Sequence, residues 1–170
     1  MGVGILSGTK VIIGDSETKS LLKERGFGEL EGKRLVISLI EAVFLVDTEK
    51  ISVMKGDKEL SFEDLLKIGS KAEKEFYNKY IVFKDMRGRG LLVRTGLKFG
   101  TDFRIYERGQ SIGRGHSTKL VHVVAEEYNC SFPEMARALR LAKNVNKDMI
   151  YAIVDEESDV TYYIVDRVKL

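Results

Sequence analysis

At 170 residues, with 44% hydrophobic and 32% charged side chains, the chain has the make-up of a globular protein that can bury one core or two small ones, not of a disordered or fibrous one. Its single cysteine, Cys130, excludes an internal disulfide, and its two histidines, His116 and His122, cannot form a zinc site unless carboxylates complete it. Net charge is only +2, no apolar run reaches the roughly 18 residues of a membrane helix, and no basic-then-apolar leader opens the chain, so a cytoplasmic protein is expected.

In chain order, Ile5 and Val11 to Ile13 read as the strands of a small hairpin. Asp15 or Ser16 can cap a helix that continues to about Arg25 and stops at Gly26. Arg34 to Ile37 is strand-like, after which Ser38 and Glu41 have capping-box spacing, so Leu39 to Val46 reads as a buried helix. Ser61 with Asp64 starts a charged amphipathic helix expected to run to about Asn78, with Phe62, Leu65, Leu66 and Ile68 as its apolar stripe. A domain boundary is expected at Lys79 to Lys84, giving an N-terminal α/β domain over 1–80 and a second domain over 81–170.

Beyond that boundary composition changes. Residues 81–119 hold nine basic side chains against three acidic ones, an excess that the overall charge conceals. Such a segment is either an ordinary solvated face or the footprint of a polyanion site, and the interleaved Phe99, Phe103 and Tyr106 supply rings on which bases could stack. Glycines at 88, 90, 96 and 100 punctuate it, with strands expected at Leu91 to Thr95 and Asp102 to Glu107. Leu120 to Val124 is apolar enough for a strand buried on both faces. Ser131 and Glu134 form a further capping box, with Pro133 in the first turn. The helix that follows carries Met135, Leu139 and Ala142 on one side and Arg137, Arg140 and Lys143 around the other. Asp148 to Asp155 and Val160 to Asp166 complete a hairpin that turns at Glu157 and Ser158.

Read as isolated residues, Tyr106 is a strand aromatic, His122 a core or surface histidine, and each lysine a surface charge. The ordered strings "RGFGE", "ISLIEAVFLVD", "YIVFKDMRGRGLLV", "GLKFGTDFRIY", "GHSTKLVHVV" and "RLAKNVNKDMIYAIVD" together span nearly the whole chain. In order and spacing they resemble the archaeal tRNA-splicing endonuclease family. That resemblance implies two small mixed α/β domains, the C-terminal one restriction-endonuclease-like around a central mixed sheet. It further implies a metal-independent endoribonuclease, without cofactor, that cuts precursor tRNA at bulge-helix-bulge junctions. RNA carries its own nucleophile in the 2′-hydroxyl, so three jobs remain: a base, an acid for the leaving 5′-oxygen, and a cation beside the phosphorane-like transition state. The resemblance assigns them to Tyr106, His116 and Lys147, in that order. A free phenol is a weak base near neutrality, so that role calls for a nearby cation such as Lys147.

The same resemblance makes Arg140 and Arg167 candidates for clamping an extruded base by cation–π contact. It also implies a homotetramer, assembled through the acidic turn of Asp155, Glu156, Glu157 and Asp159 in a basic groove of another subunit. The last strand, with Tyr162, Tyr163, Ile164 and Val165, offers a second interface. Two other readings stand beside this one. A non-catalytic RNA-binding subunit of a heteromeric enzyme would share the fold, and a metal-dependent DNA nuclease would have to draw on Asp85, Asp102 and Glu107.

Overall fold

The computed structural model of the protein describes residues 1–110 and 115–170, in two compact units, Met1–Tyr80 and Ile81–Leu170. Residues 111–114, which include Arg114 of the basic segment, lie outside the described residues.

The first unit opens with the expected hairpin, β1 (Gly2–Ser7) and β2 (Lys10–Ile13), followed by α1 (Ser16–Glu24), β3 (Glu29–Glu31), β4 (Arg34–Ser38), α2 (Leu39–Asp47), β5 (Ile51–Lys55), β6 (Lys58–Leu60) and α3 (Phe62–Ala72). Its sheet has the order β3-β4-β2-β1-β5-β6. The sheet is mixed, because β1 and β5 run parallel while the other pairs are antiparallel. Alternation along the strands puts Val11, Ile13, Leu35, Ile37, Ile51 and Val53 in the core. Asp15 caps α1 by accepting from Thr18 N, and Ser38 and Ser61 both form full capping boxes.

The helix expected to reach Asn78 is in fact broken. After Ala72 the chain turns through an extended Glu73 and a left-handed Glu75 (φ 57°), and α4 (Phe76–Gly88) begins. Phe76 explains the break: its ring lies where a Cβ on Gly69 would stand, 2.2 Å away, so the chain doubles back onto α3. Residues 79–84, where the domain boundary is expected, are helical.

Glu41 ties the two N-terminal strings together. Buried to 6% exposure, its carboxylate accepts from Gly28 N, Ser38 N and the Ser38 hydroxyl at 3.0, 2.8 and 2.9 Å. Gly28 has φ +64°, and a Cβ there would fall 2.8 Å from the Val36 carbonyl, so only glycine brings its N–H to the glutamate. Glu41→Ala strands the buried Gly28 N–H and uncaps the part-buried Ser38 N–H at the start of α2, and is expected to cost about 1–3 kcal/mol of stability. Denaturant unfolding monitored by circular dichroism checks this, and a loss of under about 0.5 kcal/mol would contradict it.

The second unit builds β7 (Leu92–Thr95), a 3-10 turn (Leu97–Phe99), β8 (Phe103–Tyr106), β9 (Lys119–Ala125), α5 (Phe132–Asn144), β10 (Asp148–Val154) and β11 (Val160–Val165). The order β11-β10-β9-β8-β7 is again mixed, with only β9 and β10 parallel, joined through α5 as a βαβ unit. Register places Arg104 opposite Leu120 and Leu120 beside Met149. That face carries the cluster of Leu120, Met149, Leu139 and Ala142 under α5, flanked by Phe99, Met135 and Val165. The opposite face carries Phe103, which meets Phe83 of α4 at 5.9 Å between ring centroids. Helices thus cover both faces of the sheet. The fold is a mixed α+β one, with five α-helices and two mixed sheets among the described residues.

Candidate active site

Tyr106 is the last residue of β8, one step past Ile105, which pairs with Lys119 of β9. Lys147 is the residue before β10, whose first residue, Asp148, pairs with the same Lys119. Tyr106 and Lys147 therefore flank β9 at one end of the sheet, on strands two apart, or about 10 Å between backbones. At that end Thr118 N, in the residue before β9, donates to Ile105 O at 2.9 Å. His116 lies two residues earlier, exposed and outside any strand.

The lysine is anchored to the histidine's stretch of chain. Lys147 Nζ donates to the carbonyl of Ser117, the neighbour of His116, at 2.5 Å, while Lys147 N donates to Ala142 O at the end of α5. Its ammonium stands 5.4 Å from the centre of the Phe99 ring. Burial lowers the lysine's pKa, and Arg104 and Lys98 push it the same way by repulsion. Tyr106 is 6% exposed, and the Arg104 guanidinium sits 5.9 Å from its ring centre. One end of one sheet thus gathers a phenol, an imidazole-bearing stretch and an ammonium, with two further cations behind them.

The competing histidine is elsewhere on the sheet. His122 lies in mid-β9 against the Tyr151 ring (5.6 Å) with Asp102 at 3.9 Å. Burial lowers its pKa, with Asp102 opposing. Arg140 is exposed on α5 and Arg167 is exposed beyond β11. Lys143, a turn along from Arg140, pairs with Asp166, the neighbour of Arg167, at 2.9 Å, so both arginines belong to the side where α5 meets β11. The acidic turn is knotted on itself: Asp155 accepts from Glu157 N and Asp159 N, each at 2.9 Å, and Ser158 has φ 65°. Glu156 N donates to Glu126, and the acidic side chains of Glu156, Glu157 and Asp159 are turned to solvent.

Strand β11 is an edge of the sheet, with Tyr163 and Ile164 more than half exposed. Tyr162 is different, since its hydroxyl donates to Asp85 at 2.7 Å and Arg89 stands over its ring. Burial pushes the Asp85 carboxyl up, but hydrogen bonds from Arg89 and Tyr162 outweigh it and leave the group below its usual range. The other two acids that a metal nuclease would use are also spoken for. Asp102 accepts from Val123 N, and Glu107 is bound by Lys119 and Thr118. Among the described residues no group of three His, Cys, Asp or Glu side chains is placed to hold a metal ion.

Phe99, expected as a ring for base stacking, stands beside the site, which it reaches from a 3-10 turn. Lys98 and Arg104, two of the nine cations of the basic segment, and Ser117 are further neighbours to which the sequence assigns no individual role. The period-2 rule would have found Arg104, two residues before Tyr106 and so on its face.

Comparison with known proteins gives the family of both units. Residues 3–66 match the family of the tRNA intron endonuclease N-terminal domain, and residues 76–162 that of the tRNA intron endonuclease catalytic C-terminal domain. The chain is 42% identical over 170 residues to a tRNA-splicing endonuclease of Thermococcus gammatolerans, covering 99% of each chain. It is 41% identical over 165 residues to that of Pyrococcus abyssi, covering 96% of this chain and 95% of the relative. To that of Pyrococcus furiosus it is 45% identical over 145 residues, or 85% and 83%. The chain belongs to the tRNA intron endonuclease family, in both its N-terminal and its catalytic domain.

Proposed function

We propose that the protein excises introns from precursor tRNA in the cytoplasm by cutting bulge-helix-bulge junctions through transesterification. Residues 81–170 form the catalytic domain and residues 1–80 the N-terminal one. The observation that carries the reading is the end of the second sheet, where Tyr106 and Lys147 flank β9 and Lys147 is tied to the carbonyl next to His116. Tyr106 takes the proton of the 2′-hydroxyl, the 2′-oxygen bonds to phosphorus, the bond to the 5′-oxygen breaks, and His116 gives that oxygen its proton. Lys147 stabilises the negative charge that gathers on the equatorial oxygens meanwhile. The products are a 2′,3′-cyclic phosphate and a 5′-hydroxyl, and no metal takes part. Recognition is by RNA shape, with Arg140 and Arg167 stacking on an extruded base.

The active form is a homotetramer joined through the acidic turn and the β11 edge, whose exposed Tyr163 and Ile164 favour a covered strand. A non-catalytic subunit would not need three reactive groups at one sheet end. One experiment tests the whole: the pure protein, sized by light scattering, is incubated with an intron-containing transcript in excess chelator. Four chains per particle, cyclic-phosphate ends and no cutting of a transcript with a single 2′-deoxy at the splice site are expected. Chelator-sensitive cutting, or cutting of the 2′-deoxy RNA, would defeat the chemistry; a monomer that cuts would defeat the assembly.

A further inference from the structure

Three cations surround one aromatic ring beside the proposed catalytic groups. Lys98 Nζ, Lys147 Nζ and the Arg104 guanidinium lie 5.0, 5.4 and 6.0 Å from the centre of Phe99. Among the described residues no carboxylate pairs with any of them. Two other cations of the basic segment are paired, Arg89 with Asp85 and Lys119 with Glu107. Arg104 Nε is moreover buried without a hydrogen-bond partner, among the described residues the sole buried side-chain nitrogen or oxygen in that state. Like charges held together, with a donor removed from water and left unmet, are unfavourable in the free protein. An anion seated among them would relieve both the repulsion and the unmet donor.

We propose that Arg104 and Lys98 form a phosphate subsite that grips a backbone phosphodiester next to the scissile one. Lys147 is left to serve the reacting phosphate. Phe99 sets the spacing: its face attracts all three cations, so the chain can hold them close without an acidic residue that would compete with RNA. Arg104 shares the face of β8 with Tyr106 and covers its ring, so a phosphate bound there fixes the RNA strand relative to the base. This subsite rests on the functional reading above. It differs from it in naming two residues that bind the substrate without touching the reacting atoms.

The test uses the full protein, its Arg104→Met, Arg104→Lys and Lys98→Met variants, and bulge-helix-bulge RNAs in which single phosphates near the cut are replaced by uncharged methylphosphonates. In the wild type, one neutral position is expected to weaken binding about 10- to 100-fold, as loss of a charge-assisted contact would. Arg104→Met is expected to weaken binding of the unmodified RNA similarly, yet to lose nothing further on that neutral RNA. Its salt slope, log K against log salt, is expected to be shallower by about 0.7–0.9, with Arg104→Lys restoring part of both. Equal extra losses on every RNA with an unchanged slope would overturn the proposal and leave Arg104 a packing residue. Lys98 is exposed, so Lys98→Met gives the same reading where Arg104→Met fails to fold. Titrating inorganic phosphate against the wild type, with chloride as control, is expected to shift the Arg104 Nε–H resonance saturably. No shift overturns the subsite, whereas a shift in a protein that cuts no RNA upholds the subsite and defeats the functional reading instead.

Discussion

Replacing His116 with alanine is expected to slow single-turnover cleavage by about 10²–10⁴-fold while leaving RNA affinity within about threefold, the range for loss of a positioned general acid. The argument starts from the leaving group. An alkoxide is a poor leaving group in water, so the 5′-oxygen needs a proton as the phosphorus bond breaks, and imidazole exchanges protons near neutrality. His116 is exposed, unlike His122, which burial and the Tyr151 ring enclose within β9. A further result separates this role from a positioning one. With sulfur in place of the bridging 5′-oxygen the leaving group needs no proton, so the alanine variant should regain most of the wild-type rate on that RNA. If the variant stays equally slow on both substrates, His116 is not the acid. His122→Ala should leave the oxygen-to-sulfur ratio of rates unchanged.

Much of the N-terminal unit was legible because its signals are local. Two Ser-x-x-Glu/Asp boxes there, and a third in the second unit, begin helices where the spacing says they should, since a cap needs only its own first turn. The short strand β3 could not be read, because all of its residues are exposed and no alternation marks it. The break between α3 and α4 was hidden for the opposite reason. Periodicity runs on through Glu73 and Glu75, and what stops the helix is a tertiary contact, Phe76 filling the space left by Gly69. In the site, the strand that carries Tyr106 and the one that follows Lys147 could be read from composition. Their meeting at one sheet end depends on β9 pairing with both β8 and β10. Those pairings join Lys119 to Ile105 and to Asp148, 14 and 29 residues away, and no local pattern encodes them. The family likeness supplied what the pattern could not.

Lys147→Met is expected to lower the cleavage rate by about 10²–10³-fold, the cost of removing one preorganised charge from a developing oxyanion, while ground-state RNA binding changes far less. Methionine keeps the stem against Phe99 and removes only the charge and the bond to Ser117 O, so a folded variant with a lost rate isolates the electrostatic part. The pH dependence has a definite sign. Burial, then Arg104, then Lys98 disfavour the ammonium, so in the free enzyme Lys147 loses its proton at lower pH than an ordinary lysine. Stabilisation by the charge is present below that point and fades as pH rises through it. Replacing Arg104 with methionine removes a repulsive neighbour and should raise the Lys147 midpoint, followed by the ¹³C shift of its terminal methylene. A bound phosphate acts in the same direction as that substitution, because an anion favours the ammonium. Substrate therefore favours the charged form of the lysine that is to meet the transition state, and a Lys147 midpoint that failed to rise on adding 2′-deoxy RNA, which binds but is not cut, would place the lysine away from the reacting phosphate.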